Sequence, residues 1–321
     1  MLPSFRTDDP FQSAKASPHL DSASLDFLWL ELTNRCNLEC VHCYADSSPQ
    51  GKHGTLSADR QAELLSDARS LGCERVQFIG GEPTLNRALP FLIAEADRLG
   101  FEFIEVSTNL VAVTDHLLEC FQRHRVHVAT SIYSHVPEIH DTVTARSGSW
   151  NSTARNIERV VARGISIRAS IVEMEINLGG SDTTSEWLRS IGVSDIGIDR
   201  LRRFGRGTNG QDCLMSELCG SCASGTLCVS PDGTVSPCIM SKPWSVGYVG
   251  TDTLAAIVAS SQLRNTRKAI YDATNEGTTF EMACNPDRKY PCGPDSQTCR
   301  PCNPNTHCGP NDCQPVRNPK K

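Results

Sequence analysis

From residue 26 onward, short apolar runs rich in β-branched and aromatic residues alternate with longer stretches whose apolar positions recur at helical spacing. The runs FLWLELT (27–33), RVQFIGG (75–81), FEFIEVST (101–108), RVHVATSIY (125–133), ISIRASIVEM (165–174) and SDIGIDRL (194–201) read as strands. Between them, residues 57–72, 87–100, 114–124, 149–164 and 182–192 read as helices. Ser57 is placed to cap the first of these and Gly72 to end it. Six βα-type units in a row predict an α/β fold whose strands run parallel and are covered on their faces.

After about residue 205 the rhythm stops. GTLCVSPDGTVSPC (225–238) predicts a hairpin about the turn PDG, and residues 253–273 predict a helix. The segment 284–315 is rich in Pro, Gly, Asn and Cys and carries too few large apolar side chains to build a core of its own, so ligation of metal is the expected substitute. Residues 1–25, rich in Ser, Pro and Asp, read as a flexible tail, 26–208 as the repeating α/β unit, and 209–321 as a cysteine-rich domain.

The 321 residues are 39% hydrophobic and 21% charged, the balance of a globular protein with a core that needs no staples. A formal net charge of −6 gives no electrostatic reason to expect nucleic acid or an anionic membrane, and the one basic cluster, RLRRFGRG at 200–207, is short. No apolar run approaches the roughly 18 residues of a membrane span, and the N-terminus lacks the apolar stretch of a secretory signal, so a cytoplasmic protein is expected.

Sixteen cysteines change this picture. Three, Cys36, Cys40 and Cys43, sit within LELTNRCNLECVHCYADSSP (30–49), Cys73 and Cys120 lie alone, and eleven fall between Cys213 and Cys313. In a chain without a secretory signal such clustering favours metal over disulfides. Three thiolates from one loop at the end of a strand suit a four-iron cluster, which takes one thiolate per iron and so keeps one iron open. The alternative from the residues alone is zinc, completed by His42 or His53 here and by the Cys299/Cys302 pair in the tail.

The motif Cys36-x3-Cys40-x2-Cys43 after the strand LWLELT resembles that of the radical S-adenosylmethionine enzymes. The resemblance implies a [4Fe-4S] cluster on these three cysteines, with S-adenosyl-L-methionine chelating the open iron. Cleavage of that cofactor by one electron would give a 5′-deoxyadenosyl radical that abstracts hydrogen from substrate. It also implies a partial (β/α)6, TIM-like barrel, with the cofactor at the C-terminal ends of the strands. FIGGEP (78–83) then matches the family's second motif, in which Gly80, Gly81 and Glu82 hold the methionine amino group. Ser107 and Asn109 in VSTNL, Ser131 in ATSIY and Arg168 in ISIRASIV are expected around the cofactor carboxylate and ribose, although Arg168 suits an ion pair equally well. His42 stands where an aromatic ring usually packs near adenine. Tyr133-Ser134 replaces the family's Asp-Gly, while His140-Asp141 and Gly148-Ser149-Trp150 still match.

Cys222-x5-Cys228-x9-Cys238 and Cys299-x2-Cys302-x5-Cys308, followed by Cys313, resemble the SPASM extension of the family. One or two auxiliary [4Fe-4S] clusters are therefore implied. Cys222, Cys228, Cys238 and Cys313 would hold the first, and Cys299, Cys302 and Cys308 the second, with Cys284 or Cys292 completing it and Cys213 and Cys219 as further candidates. Such enzymes mostly modify peptides, which makes a ribosomally synthesised peptide the expected substrate and a flavodoxin or ferredoxin the expected electron donor. The short stretch before the barrel predicts that a leader peptide is bound by a separate protein or by the barrel itself. It also keeps open a dehydrogenase or epimerase of an aminoglycoside or cyclitol. A zinc-binding module without catalysis is the reading from another class.

Overall fold

A computed structural model describes residues 24–275. Six strands, β1 (Phe27–Glu31), β2 (Arg75–Ile79), β3 (Phe103–Ser107), β4 (His127–Ser131), β5 (Ile167–Glu173) and β6 (Asp195–Arg200), pair in parallel in sequential order. Between them run α1 (Ala58–Ser70), α2 (Leu89–Arg98), α3 (Asp115–Arg123), α4 (Pro137–Thr144), α5 (Ser149–Ala162) and α6 (Ser181–Ser190). Ser57 caps α1 as expected, accepting from Arg60 N at 3.1 Å, and Thr114 caps α3 in the same way.

The alternation along each strand sorts its side chains. Leu28, Leu30, Val76, Phe78, Ile104, Val106, Val128 and Ile171 point to the helices and are buried with Leu64, Leu92, Leu118, Phe121 and Val160. The residues between them, among them Trp29, Gln77, Ser107, Ser131 and Arg168, face the interior of the curved sheet and line a cavity. Gln77 and Arg168 both donate to Glu105, which is 1% exposed; Arg168 does so through Nε at 2.7 Å and Nη2 at 2.8 Å. The small Ala129, partner of Arg168 in the β4–β5 register, leaves room for that reach.

The expected hairpin forms from β7 (Thr226–Val229) and β8 (Thr234–Ser236), and β9 (Gly247–Tyr248) follows it. Its first strand does something periodicity could not announce: β7 runs parallel to β1, so the sheet order is β6-β5-β4-β3-β2-β1-β7-β8-β9. Two helical readings need correction. Residues 137–144, given no element above, form α4, started by Pro137 at a position that needs no N–H donor. The single helix expected over 253–273 is two, α7 (Leu254–Val258) and α8 (Ser261–Asn275), because Ser260 Oγ accepts from Leu263 N at 3.0 Å and starts the second.

Candidate active site

The loop after β1 is held from every side. Cys36 N donates to Ser48 O at 2.9 Å, Val41 N to Val143 O at 2.9 Å, and Arg146 Nη1 to Asn37 O at 2.9 Å. Arg206 spreads its fork over the loop, donating to Cys40 O at 2.8 Å, Asp46 Oδ1 at 2.8 Å and Ser47 O at 2.7 Å. So fixed, Cys36, Cys40 and Cys43 open into one cavity of about 390 Å³.

Gly80, Gly81, Ser107, Asn109, Ser131 and Arg168 line the same cavity. The two glycines are there for close packing. A Cβ on Gly80, whose φ is +129°, would stand 2.5 Å from Thr33 O, and one on Gly81 2.3 Å from Arg35 O. Their absence lets Gly81 N donate to Thr33 O at 2.7 Å and Glu82 N to Arg35 O at 2.9 Å, which ties the end of β2 to the cysteine loop.

Glu82 lies behind the wall rather than in it, 1% exposed. Its Oε1 accepts from Thr84 N at 3.0 Å, Thr84 Oγ1 at 2.7 Å and Thr108 Oγ1 at 2.7 Å, and its Oε2 from Asn109 N at 2.8 Å. Burial pushes its carboxyl pKa up against these donors. The carboxylate expected to meet an amino group is thus engaged by the ends of β2 and β3. Asn109 carries that order forward: its Nδ2 donates to Asn37 Oδ1 at 2.7 Å and contacts Cys36 Sγ at 3.7 Å.

Tyr133 lines the cavity with Cys40 and Ser131, and burial pushes its phenol pKa up, helped by the Cys40 thiol. His42 packs edge-on against the Tyr133 ring at 4.8 Å, with Nδ1 buried and without a hydrogen bond among the described residues. Tyr133 N donates to His140 Nδ1 at 3.3 Å. Next to it Asp141 accepts from Gly148 N at 2.6 Å, Ser149 Oγ at 2.8 Å and Trp150 N at 2.8 Å, capping α5. The His-Asp and Gly-Ser-Trp matches are therefore one joint that holds Tyr133 in the cavity wall with the thiols. Burial lowers both histidines to about 4, so the rings are neutral at pH 7.

The basic cluster divides. Arg206 serves the cysteine loop, Arg203 pairs with Gln211, and Asp199, Arg200, Leu201 and Arg202 line the cavity where β6 ends. Arg168 takes the ion-pair option, at Glu105.

Without metal, burial pushes Cys36 and Cys40 up to about 12, helped by Glu82 at Cys36 and by the neighbouring thiols at Cys40. Thiols that resist ionisation alone but crowd one cavity suit a cationic iron core, which inverts that preference. Among the described residues no three Cys, His or acidic side chains converge on a single ion-sized point. A four-iron cluster takes each thiolate on a different iron and needs no such point. Polar Ser107, Asn109 and Ser131 in the wall of the same cavity suit a polar cofactor in the remaining space.

Cys222, Cys228 and Cys238 come together in a second buried cluster with Phe27, Trp29, Phe204 and Ile270, and Cys213 packs against it. Cys222 Sγ and Cys238 Sγ are 3.3 Å apart, and interaction between Cys219 and Cys222 lowers the pKa of Cys219 and raises that of Cys222. Cys284, Cys292, Cys299, Cys302, Cys308 and Cys313 lie outside the described residues. Missed in the sequence were Tyr44 and Met240 in the cavity wall and the pair Glu31–Lys242, of which Tyr44, next to the last loop cysteine, carried a local signal; Tyr133, noted only as replacing the family's Asp, also lines the wall.

Comparison with known proteins agrees with this geometry. A family profile described as the Radical SAM superfamily matches residues 30–191, and one described as an iron-sulfur cluster-binding domain, SPASM, matches residues 219–303. The antilisterial bacteriocin subtilosin biosynthesis protein AlbA of Bacillus subtilis is 27% identical over 271 residues, 72% of this chain and 58% of AlbA. Streptococcus suis SuiB bound to its precursor peptide SuiA superposes with a TM-score of 0.63 at 12% identity, over 76% of this chain and 66% of SuiB. The structure of anSMEcpe with AdoMet and the Cp18Cys peptide superposes with a TM-score of 0.61 at 14% identity, over 77% and 83%. This chain thus spans less than two thirds of AlbA and about two thirds of SuiB, and at these identities the two structures speak for the fold alone. The chain belongs to the radical S-adenosylmethionine superfamily, whose cofactors are a [4Fe-4S] cluster and S-adenosyl-L-methionine, and it carries that superfamily's SPASM iron–sulfur domain.

Proposed function

We propose that this chain matures a ribosomally synthesised peptide, removing hydrogen at an unreactive position so that a crosslink or other modification forms. The cofactors, when bound, supply the one-electron chemistry that breaks such a C–H bond. Cys36, Cys40 and Cys43 hold the cluster, and the backbone of Gly80 and Gly81 with Ser107, Asn109 and Ser131 surrounds S-adenosylmethionine. Glu82 orients Asn109, while Arg206 and the Tyr133–His140 joint fix the loop and its cover. The electron comes from an external carrier of flavodoxin or ferredoxin type. Cys222, Cys228 and Cys238 belong to an auxiliary cluster that accepts the electron left by hydrogen loss.

One observation favours a peptide over a small molecule. Among the described residues β6 is the edge of the sheet, five of its six residues are exposed, and it ends at the cavity mouth through Asp199 and Arg200. A strand at the edge of a sheet, toward its Asp199–Arg200 end, is a place on which an extended peptide can lie as an added strand, carrying one side chain into the cavity. Similarity to AlbA, a bacteriocin biosynthesis protein, points the same way. The test is co-expression with short precursor candidates, read by mass spectrometry. The proposal requires a product lighter by two hydrogens that is absent when Cys36, Cys40 and Cys43 are alanine. Unchanged peptides together with oxidation of a cyclitol or aminoglycoside would replace it by the small-molecule reading.

A further inference from the structure

Glu31 closes β1 on its inward face and is 0% exposed. A buried carboxylate without a partner is heavily penalised, and the turn after Cys238 brings Lys242 Nζ to 2.7 Å from Glu31 Oε2. Glu31 Oε1 and the buried Tyr44 hydroxyl beside it make no hydrogen bond among the described residues. Ile79 stands across from Glu31 in the β1–β2 register, and Phe27 and Trp29 precede it on the same face of β1. An ion pair whose carboxylate is fully buried is a poor device for stability, since apolar side chains of similar volume serve as well or better.

Its place is more telling. Lys242 interacts electrostatically with Cys43 in the loop after β1 and with Cys228 on β7, and Tyr44 with Cys43, Cys228 and Cys238. Cys228 is the cross-strand neighbour of Trp29, two residues before Glu31. The pair therefore stands between the two thiol sets. Glu31 is fully buried and the Lys242 side chain 28% exposed, so the charges act on both sets through a medium that screens less than water. The potential of an iron–sulfur cluster follows the net charge, hydrogen bonds and solvent around its sulfurs.

We propose that the Glu31–Lys242 pair sets the potential at which the auxiliary cluster of Cys222, Cys228 and Cys238 takes up one electron, with Lys242 as a positioning residue held by Glu31. This rests on reading those cysteines as ligands. The ammonium favours the more negative, reduced cluster; the carboxylate opposes it and fixes the ammonium in place.

The experiment is an anaerobic redox titration followed by electron paramagnetic resonance, with Cys36, Cys40 and Cys43 replaced by alanine so that auxiliary iron alone is seen. Glu31→Gln keeps the shape and an acceptor for Lys242, and should raise the midpoint potential. Adding Lys242→Met to Glu31→Gln should lower it again, whereas Lys242→Arg alone should leave the native value. If Glu31→Gln fails to fold, the double variant, which buries no charge, must still differ in potential from Lys242→Arg. Iron content is measured first. Absence of iron from the triple-alanine background overturns the ligand reading and the proposal with it. Intact iron with one unchanged potential across the variants overturns the proposal alone.

Discussion

At the residue scale the site is organised by buried polar groups that face away from the cavity. Glu82 satisfies four donors from three residues, and without it those donors stay buried and unpaired. Glu82→Ala should destabilise the fold by on the order of 3 kcal/mol, read as a lowered urea midpoint, while Glu82→Gln should lose less. A change in catalysis without a change in that midpoint would mean that the carboxylate faces the cofactor after all. His140, 2% exposed, accepts from Tyr133 N and titrates near 4, well below the ordinary histidine value, because burial disfavours its cation. Below about pH 6.5 the unfolded chain binds a proton that the folded one refuses, so stability falls as pH drops from about 6.5 to about 4 and levels off beneath. His140→Gln should flatten that slope by up to one proton's worth, roughly 1.4 kcal/mol per pH unit, in urea midpoints taken across the window. An unchanged slope would show that His140 is not the group responsible.

At the scale of elements, the end of β2 and the loop after β1 form one piece through Gly80 and Gly81. Gly81→Ala would drive a Cβ into the Arg35 carbonyl and force the cysteine loop to move. The expected result is a loss of about 1–3 kcal/mol together with loss of the iron held by that loop. Gly100→Ala, at a position with open space around it, should retain that iron. The strands and the motif cysteines were legible because their signals are local: alternation within a run, three thiols within eight residues, two glycines before an acid. What joins them was not. Arg206 meets Cys40 across 166 positions, and β7 meets β1 across the whole barrel sequence, so no window along the chain contains either. The helix α4 was missed for another reason: eight residues with a mixed polar pattern give too little periodicity to separate a helix from a loop.

At the scale of the molecule, the parallel β1–β7 ladder makes the start of the cysteine-rich segment a continuation of the barrel sheet. Both sets of described thiols therefore flank β1, one on the loop that leaves its end and one alongside it. Ending the chain before residue 226 should open the β1 edge and expose the face that Leu227, Val229 and Val235 cover, and the product should be insoluble. A soluble, folded barrel from that shorter chain would show that the two segments are independent. The central claim is that the three-cysteine loop holds a cluster that cleaves S-adenosylmethionine while other iron sits elsewhere. Iron and sulfide counted anaerobically on the reconstituted wild type and on the Cys36→Ala/Cys40→Ala/Cys43→Ala variant, each assayed for 5′-deoxyadenosine with dithionite, test it most directly. The account predicts about four fewer irons in the variant, iron still present there, and nucleoside released by the wild type alone. Zinc in place of iron, with no nucleoside from the reconstituted wild type, would contradict it.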